Sequence, residues 1–248
     1  MHDKVSVIIP AFNSEKTITR CINSVLDQTY QNFEVIVIND NSSDNSRKKI
    51  ESIKDQRIKI INNNKNYGAG ISRNKGIEIS KGSFIAFLDS DDWWMNKKLE
   101  KQISFMKDNN LNFSFTSYTA ISKNYKKIID APCEVRYEDL LKENPIGCST
   151  VVYKKSFFPE IRMSSIRMRQ DWKMWIDFVM LDDVLFGLQS NLTIYNADGG
   201  MSKNYLKLLY FQYKFYRTQL KFSVIKSLIS LIMYFSYKAL KSYKSVKL

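Results

Sequence analysis

The chain opens on alternating apolar and mixed blocks. Val5-Ser-Val-Ile-Ile9 is a short, largely β-branched apolar run that stops at Pro10, the pattern of a strand buried on both faces. Across residues 17–27 the apolar side chains Ile18, Cys21, Ile22 and Val25 recur at helical spacing. Residues 33–38 read as a second buried strand, and residues 43–53 as a helix with Asp44 as its cap. A third strand is expected over 57–61, a helix over 70–79 and a fourth strand over 83–88. This βαβαβ alternation predicts a doubly wound, mainly parallel sheet with helices on its faces. Beyond Trp94 the periodicity loosens: 96–107 and 170–181 read as helices, 113–120 and 148–153 as strands, and 203–248 as helical and rich in aromatics. No internal repeat is visible.

Length and composition narrow the class. With 248 residues, 44% of them hydrophobic, the chain can build one large α/β unit plus an appendage without metals or disulfides. Cys21, Cys133 and Cys148 form no C-x-x-C pair, so neither a zinc ribbon nor a redox motif is expected, and the thiols read as reduced. The opening Met-His-Asp-Lys lacks the basic start of a signal peptide. His2 is the only histidine, which argues against a Ser-His-Asp triad and against multi-histidine metal sites. Acid–base chemistry therefore falls to carboxylates, lysines or tyrosines.

The net charge of +13 is unevenly spread. Asp198 is the last acid, and ten bases follow it; residues 1–198 carry 28 bases against 25 acids, a net of +3. A nearly neutral body with a basic tail points to an anionic surface, either membrane or nucleic acid.

In an open α/β sheet, ligands sit beyond the carboxyl ends of the strands. Those ends are polar here: Ala11-Phe-Asn-Ser-Glu15 after the first strand, Asn39-Asp-Asn-Ser-Ser-Asp44 after the second and Asp89-Ser-Asp-Asp92 after the fourth. Three aspartates within four residues repel one another unless neutralised. Mn²⁺ or Mg²⁺ is the natural partner, held by one or two carboxylates and completed by substrate phosphates. A helix N-cap or a solvated acidic loop is the alternative. No Walker loop or G-x-G-x-x-G is present; Asn66-Tyr-Gly-Ala-Gly70 offers only a weak glycine pair, and Arg73 on the next helix is a candidate to face an anion, although a turn followed by a surface arginine is the simpler reading of these residues alone.

Val5-Ser-Val-Ile-Ile-Pro-Ala-Phe-Asn13, Cys21-Ile-Asn-Ser-Val-Leu-Asp-Gln-Thr29, Val35-Ile-Val-Ile-Asn-Asp-Asn-Ser-Ser-Asp44, Asn66-Tyr-Gly-Ala-Gly-Ile-Ser-Arg-Asn-Lys-Gly76 and Phe87-Leu-Asp-Ser-Asp-Asp-Trp93 follow in order. Together they resemble family 2 glycosyltransferases. The resemblance implies the glycosyltransferase A fold: a Rossmann-like, mainly parallel sheet flanked by helices. It implies that Asp40 bonds the uracil ring, that Pro10, Phe12 and Glu15 line the nucleotide pocket, and that Arg73 lies close to the nucleotide. It also implies that Asp89, with Ser90 beside it, holds ribose and that Asp91 binds the metal, with Asp92 a further candidate. Asn39 departs from the usual acid at its position.

The second half resembles bacterial O-antigen and capsule transferases through Asn144-Pro-Ile-Gly-Cys-Ser-Thr150 and Met168-Arg-Gln-Asp-Trp-Lys-Met-Trp175. By that resemblance Asp171 is the catalytic base; a charge at a helix start is the alternative. Trp172 and Trp175 are candidates for stacking on an acceptor sugar, or core residues. Asp198-Gly-Gly-Met-Ser202 resembles a loop that closes over the donor diphosphate; a plain turn is the alternative.

Lys207, Lys214 and Lys221 share one helical face, with Leu206, Leu209, Tyr210, Tyr213 and Leu220 marking the apolar side. Residues 227–237 are uncharged but too few to span a bilayer. A basic amphipathic helix of this kind reads as lying in a membrane interface; a helix packed on the catalytic body with its lysines in water is the alternative. The expected organisation is a catalytic unit over 1–202, divided into a nucleotide half (1–95) and an acceptor half (96–202), followed by a basic amphipathic helical tail over 203–248. The expected activity is inverting, metal-dependent transfer of galactose or glucose from a UDP-sugar to GlcNAc-diphosphate-undecaprenol, peripheral to the cytoplasmic face of a bacterial inner membrane. A rhamnosyl or amino-sugar donor is the alternative within that class. A nucleic-acid-binding protein is disfavoured, because the acidic rim repels phosphates. A non-catalytic nucleotide-sugar scaffold is the third reading.

Overall fold

A computed structural model describes residues 3–166, 168–199 and 205–246. In chain order the elements are β1 (Val5–Ala11), α1 (Ile18–Leu26), β2 (Phe33–Asn39), α2 (Ser46–Ser52), β3 (Ile58–Asn62), α3 (Ala69–Ile79), β4 (Phe84–Phe87), β5 (Trp93–Trp94) and α4 (Lys98–Asp108). There follow β6 (Phe113–Ile121), β7 (Lys126–Ile129), β8 (Glu134–Val135), α5 (Tyr137–Lys142), β9 (Val152–Lys154), α6 (Gln170–Asp182), β10 (Leu185–Asn196), α7 (Tyr205–Lys214) and α8 (Val224–Val246).

One sheet runs in the order β3-β2-β1-β4-β9-β6-β10-β5, with β7 on β6 and β8 on β10. The first four strands are parallel; β9 is antiparallel to both β4 and β6, and β10 is parallel to β6. The pleat divides the core. Ile8, Ile36, Ile38, Ile85 and Phe87 face one layer with Trp172, Trp175 and Phe178 of α6. Val5, Val7, Ile9, Val35 and Val37 face the other, against Ile18, Cys21, Ile22 and Val25 of α1. Each buried Val or Ile contributes about 1.5–3 kcal/mol relative to exposure, so this alternation fixes the register: a one-residue slip would exchange the two layers. In register, Ala11 lies opposite Asn39 and Asn39 opposite Asn62, which brings the carboxyl ends of β1, β2 and β3 to one rim.

Two strand expectations change. Strand β1 continues through Pro10 to Ala11. Pairing with β4 ends at Ile8 and Phe87, so the missing N–H of Pro10 removes no ladder bond. Residues 148–153 are not one strand: Cys148–Thr150 forms a 3₁₀ turn before β9. That turn is pinned from the site side, because Ser149 Oγ accepts from the Asp89 N–H (3.0 Å) and donates to Asp92 Oδ2 (2.5 Å).

The tail forms two helices. A π turn at Phe215–Gln219 ends the first, and Lys221 sits at φ 54° before α8 begins. Phe215, Tyr216, Phe222 and Tyr234 join the core against Trp172, whose ring stacks on Phe215 at 5.1 Å. The buried positions of α7 include Leu208 and Gln212, whereas Leu209 and Tyr210 of the expected apolar side are exposed. Among the described residues no helix is long and apolar enough to cross a membrane.

Candidate active site

The rim at the ends of β1, β2 and β4 opens into a cleft of about 830 Å³. Pro10, Phe12, Glu15, Asp40, Arg73, Asp89, Ser90, Asp91 and Asp171 all line it, so the structure brings together nine residues drawn from five segments of the chain. Asp92, Trp172 and Trp175 do not.

Asn13, at φ 48°, turns the chain out of β1, and its Oδ1 accepts from the Ser43 N–H at 2.9 Å. Glu15 Oε2 accepts from the Asn45 N–H, and the Glu15 N–H donates to Asp44 Oδ2. These bonds lace the loops after β1 and β2 into one wall. Phe12 remains 49% exposed on that wall, an apolar ring in a polar setting. The carboxylate of Asp40 is largely engaged: it accepts from Asn63 Nδ2 (2.7 Å), the Tyr67 N–H (3.0 Å) and the Gly68 N–H (2.7 Å). Asp40 thus holds the loop leading into α3. Gly68 supplies the left-handed backbone (φ 91°) at that entry.

Gly70 explains the second glycine of the pair. A Cβ there would lie 2.6 Å from the amide end of the Gln170 side chain and 3.1 Å from the Ser164 carbonyl oxygen, so glycine leaves room for that amide against the start of α3. With its amide oriented to satisfy its neighbours, Gln170 donates to the Ile166 carbonyl and accepts from the Gly70 N–H (3.1 Å) and Arg73 Nη1 (3.3 Å). Arg73 is buried and ion-paired with Asp89. Burial opposes its charge, but the carboxylates of Asp89 and Asp171 outweigh that and hold the guanidinium charged.

Asp91 has its carboxyl pushed up to about 6, first by burial and then by the charge of Asp89. Arg20 braces the same loop: its Nη2 donates to the Asp91 carbonyl at 3.2 Å while its guanidinium lies 3.5 Å from the centroid of the Trp93 ring. Among the described residues no group of three His, Cys, Asp or Glu forms a metal site. The donor set still fits one hard divalent cation, since such ions use one or two carboxylates and take remaining ligands from substrate phosphate and water. Asp92 serves otherwise. It is 1% exposed, with Oδ2 on Ser149 and Oδ1 accepting from the Asn196 N–H at 2.8 Å, so it ties the β4 loop to the end of β10.

Asp171 occupies the first turn of α6, and its Oδ2 accepts from Asn144 Nδ2 at 3.3 Å. Burial raises its pKa, and Arg73 partly opposes this. A second chamber of about 290 Å³ shares Asp89, Cys148 and Asp171 with the main cleft and is walled by Tyr118 and Tyr195. The two tyrosine rings meet edge-on, 6.0 Å apart. Sequence reading missed both tyrosines: Tyr118 lies inside β6 and Tyr195 near the end of β10, and nothing local marks either one as facing a cavity. Trp172 and Trp175, the expected sugar platforms, are 1% and 0% exposed and belong to the core; the Trp172 indole donates to the Leu140 carbonyl at 2.7 Å. Helical spacing pointed both at the sheet, and the tail covers what remained of Trp172. Of the loop over 198–202, residues 200–202 lie outside the described residues.

The family model described as glycosyl transferase family 2 matches residues 6–164. The Escherichia coli protein WfgD, a UDP-Glc:α-D-GlcNAc-diphosphoundecaprenol β-1,3-glucosyltransferase, is 41% identical over 177 residues, covering 71% of this chain and 69% of its own. Among solved structures, S. aureus TarS 1–349 in complex with UDP-GlcNAc superposes with a TM-score of 0.72 at 20% identity, covering 94% of this chain and 72% of that one. The mannosyltransferase PcManGT of Pyrobaculum calidifontis, in complex with GDP-Man and Mn²⁺, does so with a TM-score of 0.65 at 12% identity, covering 96% and 75%. Both structural likenesses support the glycosyltransferase A fold. By its family match, its relatives and its fold, the chain belongs to glycosyl transferase family 2 and is a glycosyltransferase.

Proposed function

We propose that the chain transfers one hexose, glucose or galactose, from a UDP-sugar to GlcNAc-diphosphate-undecaprenol with inversion at the anomeric carbon. The observation that carries this reading is the join between the two cavities: Asp171 lines both the cleft bearing the nucleotide-side residues and the chamber walled by Tyr118 and Tyr195. A base that faces two substrates at once is what direct transfer requires. The donor would lie in the main cleft, its uracil against Phe12 and bonded at Asp40, its ribose at Asp89 and Ser90. The acceptor sugar would enter the smaller chamber, with the tyrosine rings in place of the tryptophans.

Asp171 then takes the proton of the acceptor hydroxyl as that oxygen attacks the anomeric carbon from the face opposite the departing UDP. Its raised pKa makes it a stronger base than an exposed carboxylate. Asp91 would hold Mn²⁺ or Mg²⁺, whose charge when bound would offset that of the departing diphosphate. Arg73, fixed by Asp89 and Gln170, keeps a permanent positive charge near the same region.

The activity of WfgD supports the acceptor and favours glucose over galactose. In this reading residues 1–95 bind nucleotide, 96–202 bind acceptor, and the basic tail over 203–248 holds the enzyme at the cytoplasmic face of the inner membrane as a peripheral protein, with no role for nucleic acid. The test is a donor screen at saturating GlcNAc-diphosphate-lipid. UDP-glucose or UDP-galactose should be consumed in step with acceptor; consumption of a dTDP-rhamnose or UDP-amino sugar alone would move the donor assignment to that sugar.

A further inference from the structure

Helix α8 has two apolar faces, and only one is used by the fold. Inward, Tyr234 is buried, and Leu231 and Phe235 pack on the core. Outward, Ile225, Leu228, Ile229, Ile232 and Met233 recur at i, i+3, i+4, i+7 and i+8, a single helical stripe. All five are exposed, Ile225 by 73% and Ile232 by 67%. No other described element covers them, and isolated exposed apolar residues are common whereas a five-residue stripe is not. The stripe is bordered by exposed Lys226, whereas Lys238 lies one turn beyond Tyr234 with its amino group 5.2 Å from the centroid of that ring; α8 contains four lysines and no acid.

We propose that this outward stripe of α8 is a docking face for an anionic lipid bilayer. Charge selects the occupant. A second copy of the helix would bring lysines against lysines with no acid to meet them, whereas acidic headgroups neutralise them and the apolar stripe enters the acyl boundary. The contact site is thereby moved from the α7 face predicted by the lysine spacing to α8. The inner face of the same helix reaches the active site. Arg169 Nη2 donates to Tyr234 Oη at 3.1 Å, and the guanidinium lies against both the Tyr234 and Trp172 rings. Arg169 lines the cleft at φ 67°, two residues before Asp171. The helix that meets lipid therefore also holds the turn that places the base. This rests on the membrane placement proposed above and names the element that makes it.

The experiment is co-sedimentation of the full chain with vesicles of phosphatidylcholine containing about one third phosphatidylglycerol, compared with phosphatidylcholine alone. Wild type should bind the anionic vesicles and be released by high salt. The double variant Ile229→Asp, Ile232→Asp should bind at least tenfold more weakly while keeping the far-ultraviolet spectrum and UDP affinity of wild type, since both positions are exposed. Unchanged vesicle binding by the double variant would overturn the proposal. So would absence of wild-type binding, or a wild-type dimer in solution that the double variant abolishes without any vesicle binding. The readout uses no turnover, so failure of the transfer reading would show separately, as loss of activity with vesicle binding intact.

Discussion

Asp171→Asn isolates the chemistry from the fold. Asparagine has nearly the same volume and keeps an oxygen for the 3.3 Å contact with Asn144 Nδ2, but it cannot take a proton. Loss of a general base costs about 10²–10⁴ in rate, which is about 3–5 kcal/mol of barrier at 1.36 kcal/mol per tenfold. Stability should move the other way. Burial raises the folded-state pKa of Asp171, so the ionised carboxylate is disfavoured by folding, and that penalty appears as pH rises through the raised value. Replacing it with a neutral amide removes the penalty, offset by the loss of about 0.3–1 kcal/mol of favourable interaction with the start of α6. The variant should therefore melt no lower than wild type at neutral pH. The assay is steady-state transfer with a GlcNAc-diphosphate-lipid, UDP affinity measured in parallel by calorimetry. The expected result is kcat reduced at least a hundredfold with UDP affinity within twofold. In wild type kcat should fall with decreasing pH along a limb set by Asp171, at higher pH than an ordinary carboxylate gives, and this limb should vanish in the variant. A kcat within threefold of wild type, or an unchanged acid limb, would refute Asp171 as the base.

Three further outcomes follow from the same geometry. Phe12→Ala should leave stability within about 0.5 kcal/mol, because the ring is half exposed, but weaken UDP binding by about 1–3 kcal/mol if uracil stacks on it; calorimetric titration with UDP decides. Trp172→Ala should cost about 3–5 kcal/mol in urea unfolding, as expected for a core indole, whereas a sugar platform would leave the unfolding midpoint unmoved. Chelation should abolish transfer and added Mn²⁺ or Mg²⁺ restore it, while Asp91→Ala should stay inactive at every metal concentration; full activity of wild type in chelator would remove the metal from the proposal.

The parts of the fold legible in the sequence are those whose periodicity has one explanation. The runs through Val5–Ile9 and Phe33–Ile38 are apolar on both faces because both faces are covered, and the polar rim follows because strands must end there. The nucleotide side of the site is largely local: apart from Arg73 on α3, each residue lies within a few positions of a strand end. The acceptor side is not. Tyr118 and Tyr195 meet only because β6 and β10 pair in parallel across more than seventy residues of chain. Helical spacing likewise marks Trp172 and Trp175 as facing something, but it cannot distinguish a ligand from Phe215, which arrives from the tail. For Asp40, the three loop bonds that engage its carboxylate come from residues 63–68, and no pattern near position 40 announces them.

The most direct measurement is the mass and anomeric configuration of the product when wild type is given UDP-glucose or UDP-galactose, Mn²⁺ and GlcNAc-diphosphate-lipid. A gain of one hexose with a β linkage is the predicted result, whereas no hexose gain from either donor, or an α-linked product, would contradict it.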